Sequence, residues 1–219
     1  MIEQEQARLL QRAPRFFDKA RREVPANKSI DPKTLYEANR SIHKEIEHQI
    51  SECAKLNLSV AQSECLLHRH SIQVWVESLD KNLYELVAML ESARRYSLPR
   101  FYTTEIISVL DGMMNVACQS VESENPISIR QLIEMTEAQD SVISQFKPKA
   151  LASDGNMDTH AKKALLGMVF YYERIVWITN KIAHALASDQ EGEEYVFTPN
   201  GDVEMKESKI ELPLTTTQT

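Results

Sequence analysis

The chain has 219 residues, of which 42% are hydrophobic and 26% charged, with five glycines, eight prolines and a formal net charge of −7. That length and apolar content are enough for a sizeable core, which excludes disorder throughout, and the negative charge argues against general nucleic-acid binding, which needs a basic face to neutralise phosphates. Long segments rich in Ala, Leu, Glu, Lys and Gln lie between the few glycines and prolines, so the chain is predicted to be all-α.

Six helices are predicted. The first covers residues 2–24, bent or started at Pro14 and stopped by Pro25 and the turn that follows it. Leu9, Phe16 and, less closely, Ala20 give it an apolar side, while Arg8, Arg12, Arg15, Lys19 and Arg22 recur at three- and four-residue spacing and share the other side. A solvated helix face accounts for such a row; so does a position beside a membrane, because cytoplasmic segments next to membranes are enriched in lysine and arginine. The second helix starts near Pro32, a residue suited to a first helical position, and runs to about Leu56 with Leu35, Ala38, Ile42, Ile46, Ile50 and Cys53 on one face. Ser59 and Gln62 resemble a capping box for the third, which continues to about Arg95 with Ile72, Trp75, Leu79, Leu83, Leu86, Leu90 and Ala93 in register.

Pro99 opens the fourth helix, whose inner face is Ile106, Leu110, Met113 and Ala117. Asn125 and Pro126 start the fifth, with Ile129, Ile133, Thr136, Ile143 and Phe146 inside, and Lys147, Pro148 and the turn at Ser153 to Asn156 end it. The sixth, from Asp158 to Ser188, organises the rest: Ala161, Leu165, Met168, Tyr172, Ile175, Thr179, Ile182 and Leu186 fall on one face. Val169, Val176 and Trp177 widen that stripe beyond a two-stranded seam, which predicts a bundle with more than one neighbour for this helix. Six residues are expected at the centre of the core: Trp75, Leu79, Leu83, Met168, Ile175 and Ile182. After Ser188 the chain is acidic, carries the turn signal Thr198 to Asp202, and is predicted to be irregular apart from a short strand at 194–198.

A faint internal repeat accompanies this order. Glu47, Ile50 and Ser51 precede Glu77, Leu79, Leu83 and Leu86 much as Asp140, Ile143 and Ser144 precede Glu173, Ile175, Thr179 and Ile182. The expected organisation is one three-helix unit over residues 1–96, a second over 97–188, and a tail over 189–219. The uncharged run from Leu165 to Tyr172 is far shorter than the roughly 20 residues needed to cross a bilayer. The opening residues, Met1 to Leu10, are acidic and polar where a signal peptide carries a basic and then an apolar segment, and Cys53, Cys65 and Cys118 are odd in number and set among helical apolar positions. Reduced buried thiols and a cytoplasmic location are therefore expected.

Chemistry-bearing patterns are few. Glu45 and His48 have the Glu-x-x-His spacing of carboxylate-bridged metal sites, which require a second such pair and further glutamates on facing helices. A helical-bundle metalloenzyme built on Glu45, His48, Glu77 and Glu173 is the alternative that this spacing supports. His68 and His70 point to different helical faces, and His160 and His184 sit near the ends of the last helix. No Gly-rich phosphate loop, nucleophile elbow or Cys-x-x-Cys occurs, so no enzyme activity and no cofactor are expected.

The segment from Ala164 to Leu186 resembles the closing helix of a PhoU-type repeat, with Glu173, Arg174, Ile175 and Asn180 in the places of a Glu-Arg-Ile step followed by an asparagine. The opening Ala13 to Val24, with Ala20, Arg21, Arg22 and Glu23, is similar to the stretch that follows the last membrane helix in bacterial sodium/phosphate cotransporters. The resemblance implies a six-helix PhoU-like bundle of two three-helix repeats, serving as a non-enzymatic regulatory or interaction domain at the cytoplasmic face of the inner membrane. It also implies a membrane transporter portion or the membrane surface as partner, with a second copy of the chain as another. Metal-binding PhoU proteins place an aspartate four residues after the acidic residue; Lys81 and Trp177 stand there after Glu77 and Glu173, so no multinuclear metal site is implied.

Overall fold

The computed structural model describes residues 1–19, 30–95, 100–123, 126–138, 159–191, 195–197 and 203–205. Among these the protein is all-α apart from one small hairpin. Its helices are α1 (Ile2–Arg12), α2 (Pro32–Ala54), α3 (Val60–Arg95), α4 (Arg100–Ser123), α5 (Pro126–Glu137) and α6 (Thr159–Glu191), with a 3₁₀ segment at Ala13–Phe17. The strands β1 (Tyr195–Phe197) and β2 (Val203–Met205) pair antiparallel, with Val196 opposite Glu204.

The ends of α2 and α3 follow from their caps. The Asp31 carboxylate accepts from the Thr34 backbone N–H at 3.3 Å, and Pro32 occupies the first helical turn, where its missing N–H costs nothing. At the next boundary the Ser59 hydroxyl accepts from the Gln62 N–H (3.3 Å), and the Gln62 side chain accepts from the Ser59 N–H (2.9 Å): the reciprocal box expected from those two residues.

The first helix is shorter than its pattern suggests. The α-helix stops at Arg12, and the Ala13 N–H bonds back to Leu10 as the chain tightens into a 3₁₀ turn. Pro14 explains this, because it has no N–H to give to the preceding turn and its ring crowds the carbonyl there. The tighter turn drives Phe16 and Phe17 completely into the core beside Leu9 and Leu10.

Helices α2, α3, α6 and α5 pack side by side in that order, with the α3–α6 contact the most extensive, while α1 and α4 pack on each other and across this row. Met89 of α3 lies against Gly167 of α6, and Trp75 meets Trp177, so the two long helices run antiparallel. Leu79, Leu83, Leu86 and Leu90 of α3 face Leu165, Met168, Ile175 and Ile182 of α6 within one continuous core, each large side chain contributing roughly 1.5–3 kcal/mol before ordering entropy. Ile106, Leu110, Met113 and Ala117 of α4 close that core as their spacing predicts.

Several expected inner positions differ, Ile42, Ile133 and Leu186 among them, which are half-buried at the edge of the core. Trp75 is half-buried, because it sits at the flank of α3 and meets Trp177 edge-on at 5.1 Å, and Trp177 is itself 48% exposed. Ala38 is exposed, the inner stripe of α2 running instead through Leu35, Asn39, His43, Ile46 and Ile50. Cys65 is an exposed free thiol, not a buried one; Cys53 and Cys118 are free and half-buried. Ile143, Phe146, the turn at 153–156, most of the residues after 191, Arg22, Pro25 and Pro99 lie outside the described residues.

Candidate functional site

The inner face of α2 carries two polar residues where a bundle helix would ordinarily carry aliphatic ones. Asn39 and His43 lie four apart between Leu35 and Ile46, so helical geometry sends both into the α2–α3 interface. Gln73 and Asp80, seven apart on α3, come in from the other side, and all four residues are at least 95% buried.

Their hydrogen bonds form a continuous chain. Asn39 Nδ2 donates to Asp80 Oδ2 at 2.9 Å, and His43 Nε2 lies 2.9 Å from the same oxygen. The other imidazole nitrogen, Nδ1, lies 2.8 Å from Gln73 Nε2. With the Gln73 amide donating, Nδ1 is the acceptor, and the neutral imidazole carries its proton on Nε2, directed at the carboxylate. From α1, Arg12 Nη1 donates to Asn39 Oδ1 at 3.2 Å, which fixes that amide with its nitrogen toward Asp80. Beside the network Tyr36 and Tyr84 stack with ring centroids 4.8 Å apart, a second α2–α3 tie.

Burial is the dominant influence on Asp80 and raises its carboxyl above the ordinary carboxylate range; the His43 and Asn39 hydrogen bonds and the positive charge of Arg12 pull the other way. Gln73 Oε1 is buried with no hydrogen-bond partner.

The carboxylate–imidazole pair has the composition of a general base, but both ring nitrogens are already engaged and the side chain is 3% exposed. No position is left for a substrate proton to reach the ring. The arrangement therefore does something else: it locks one register of α2 against α3, because sliding either helix would strand buried polar groups.

The residues of the metal-site alternative lie elsewhere. Glu45 and His48 are on the exposed face of α2, with Glu45 Oε1 accepting from Gln49 at 3.2 Å; Glu77 is exposed on α3, and Glu173 is half-buried on α6. Among the described residues no three His, Cys, Asp or Glu side chains converge as a metal would require. His48 instead borders a cleft of about 550 Å³ with Ile2, Glu3, Cys53 and Arg69.

The basic row of the first segment is also redistributed. Arg8 reaches Glu5 at 3.5 Å, and Lys19 pairs with Asp31. Arg15 is exposed, Arg12 is turned toward Asn39, and Arg22 lies outside the described residues. The change to a 3₁₀ turn after Arg12 breaks the single helical face that the spacing implies.

Comparison of the chain with protein-family models, with curated proteins and with solved structures finds no match. Among the described residues no helix is long and apolar enough to cross a membrane.

Proposed function

We propose that this chain is a PhoU-like regulatory or interaction domain, acting without catalysis at the cytoplasmic face of a membrane beside a sodium/phosphate transporter portion. The observation that carries the reading is the pattern of helix packing. Exchanging α1 with α4, α2 with α5 and α3 with α6 carries the contacts α1–α2, α2–α3 and α1–α3 into α4–α5, α5–α6 and α4–α6, and leaves the pairs α1–α4 and α3–α6 unchanged. Two three-helix units joined about an approximate twofold axis would give such a pattern, which supports the organisation that the resemblance implies. The occupied ring nitrogens of His43 support a structural role for the one buried carboxylate–imidazole pair, which favours a binding domain over an enzyme.

Membrane proximity on this reading rests on Arg8, Arg15, Lys19 and Arg22, the pairs of Arg8 with Glu5 and of Lys19 with Asp31 being exposed, while Arg12 is engaged with Asn39. Cations at an anionic lipid surface contribute on the order of 1 kcal/mol each and weaken over a Debye length as salt is added. The full chain should float with phosphatidylserine vesicles at low salt, and Arg8→Glu/Arg15→Glu/Arg22→Glu should not. Equal recovery of the two proteins would remove the membrane-facing role. In cells carrying the natural gene, deleting the segment that encodes this chain should change sodium-dependent phosphate uptake; unchanged uptake would overturn the transporter assignment.

A further inference from the structure

The middle of the face opposite α1 and α4 is formed by the outer sides of α3 and α6, and among the described residues no helix packs across it. On α6, Lys163, Leu166, Phe170, Arg174, Trp177 and Lys181 recur at three- and four-residue spacing along this side. On α3 the same side carries Leu67, Val74, Glu77, Lys81 and Glu85. Leu67, Val74, Leu166, Phe170 and Trp177 are large apolar side chains between 46% and 65% exposed, whereas isolated surface apolar residues need no such alignment. Lys181 Nζ lies 5.7 Å from the centre of the Trp177 ring, so apolar and cationic groups interleave along α6.

We propose that this face is a self-association surface, on which a second copy of the chain docks with its α3 over α6 and its α6 over α3. The charges select this occupant. The α6 side is net basic, through Lys163, Arg174 and Lys181 against Glu173, while the α3 side is net acidic, through Glu77 and Glu85 against Lys81. A lipid surface would attract the first and repel the second, and an acidic peptide would satisfy only α6. A copy related by a twofold axis running along the helices satisfies both at once, as an isologous interface must. The antiparallel contacts of Met89 with Gly167 and of Trp75 with Trp177 set the levels: Glu77 stands opposite the stretch from Ile175 to Trp177, between Arg174 and Lys181. The dimer therefore places Glu77 over Arg174 and Lys181, with Phe170 and Trp177 at the centre. From Leu67 to Ala88 the face is about 30 Å long and two helices, about 20 Å, wide, the scale of an interface of roughly 800 Å² per partner. The proposal stands independently of the transporter reading.

Sedimentation equilibrium of the full chain between about 1 and 200 µM should show a monomer–dimer equilibrium. Phe170→Glu/Trp177→Glu should raise its Kd at least about thirtyfold, since central aromatic residues dominate such interfaces. The charge variants test the pairing without touching the apolar centre. Glu77→Lys/Glu85→Lys alone and Arg174→Glu/Lys181→Glu alone should each be weakened, and an equimolar mixture should recover a heterodimer. A wild-type chain that stays monomeric through this range, or charge variants that fail to recombine while keeping wild-type circular dichroism, would overturn the proposal. So would a monomer whose vesicle flotation depends on Phe170 and Trp177, which would assign the face to lipid.

Discussion

Replacing His43 by alanine is the sharpest test of the buried network. The substitution removes the 2.9 Å bond to Asp80 Oδ2 and the 2.8 Å bond to Gln73 Nε2, leaving Asp80 with Asn39 alone and Gln73 with neither end of its amide bonded in the network. A hydrogen bond to a charged group is worth about 1.5–3 kcal/mol, and a buried amide left without a partner costs about 1–3 kcal/mol. The sum, roughly 2.5–6 kcal/mol, brackets what breaking a buried carboxylate pair ordinarily costs and outweighs any relief from losing a buried ring. His48, one turn farther along α2 but exposed, is the control, and His48→Ala should stay within about 0.5 kcal/mol of wild type. Urea unfolding of the two variants and the parent reads the difference directly. A His43→Ala cost below about 1 kcal/mol would show that water or side-chain rearrangement satisfies Asp80 and Gln73, and that the network does not hold the register of α2.

Asp80→Asn tests the sign of the carboxylate's contribution. The folded-state value of Asp80 is raised, so its stabilising contribution is complete below the ordinary carboxyl value and is lost as pH rises through the folded one; the variant should therefore gain on wild type from about pH 4 upward, and a pH-independent gap in urea titrations would contradict this. Leu79→Ala and Ile175→Ala delete fully buried side chains from the facing stripes of α3 and α6, and each should cost roughly 2–5 kcal/mol in chemical denaturation. Gly112 lies within α4 and a methyl group added there meets nothing within 4 Å, so Gly112→Ala should stabilise by about 0.5–1 kcal/mol; Gly167→Ala should gain less, because its methyl comes within 3.1 Å of Met89 Sδ. Deleting residues 200–219, which among the described residues removes only β2, should leave the thermal midpoint nearly unchanged in calorimetry, and a large drop would show that the tail supports the bundle.

The helix order, the caps and most of the core were legible because they rest on local signals: proline positions, the Ser59–Gln62 box, and aliphatic residues at three- and four-residue spacing. The polar network was not, because a hydrophobic pattern scores Asn39 and His43 as breaks in the stripe, and Ala38 was taken for the inner position instead. A signal was present nonetheless. Leu35, Asn39, His43, Ile46 and Ile50 keep perfect helical register, and Gln73, Val76, Asp80 and Leu83 do the same on α3, so two polar pairs stand in matching core positions of neighbouring helices. Buried polar groups demand partners, and each pair supplies them for the other. The basic row is redistributed for a different reason: Pro14, where the first helix is expected to bend or start, ends the α-helix halfway along the row.

Arg12 links the network to the basic row, and magnitudes decide which role it takes. As a membrane-facing cation it would gain on the order of 1 kcal/mol from anionic lipid, a gain that salt erodes. As the donor to Asn39 it orients the amide whose nitrogen serves Asp80, and its charge helps keep that carboxylate from rising further. A charge-assisted hydrogen bond of this kind contributes about 1.5–3 kcal/mol and is screened far less, being partly buried. The inner role wins. The first segment is thus divided at its own kink, with Arg8 and Arg15 turned outward on either side and Arg12, at the last residue of the α-helix, turned inward to complete the α2–α3 interface.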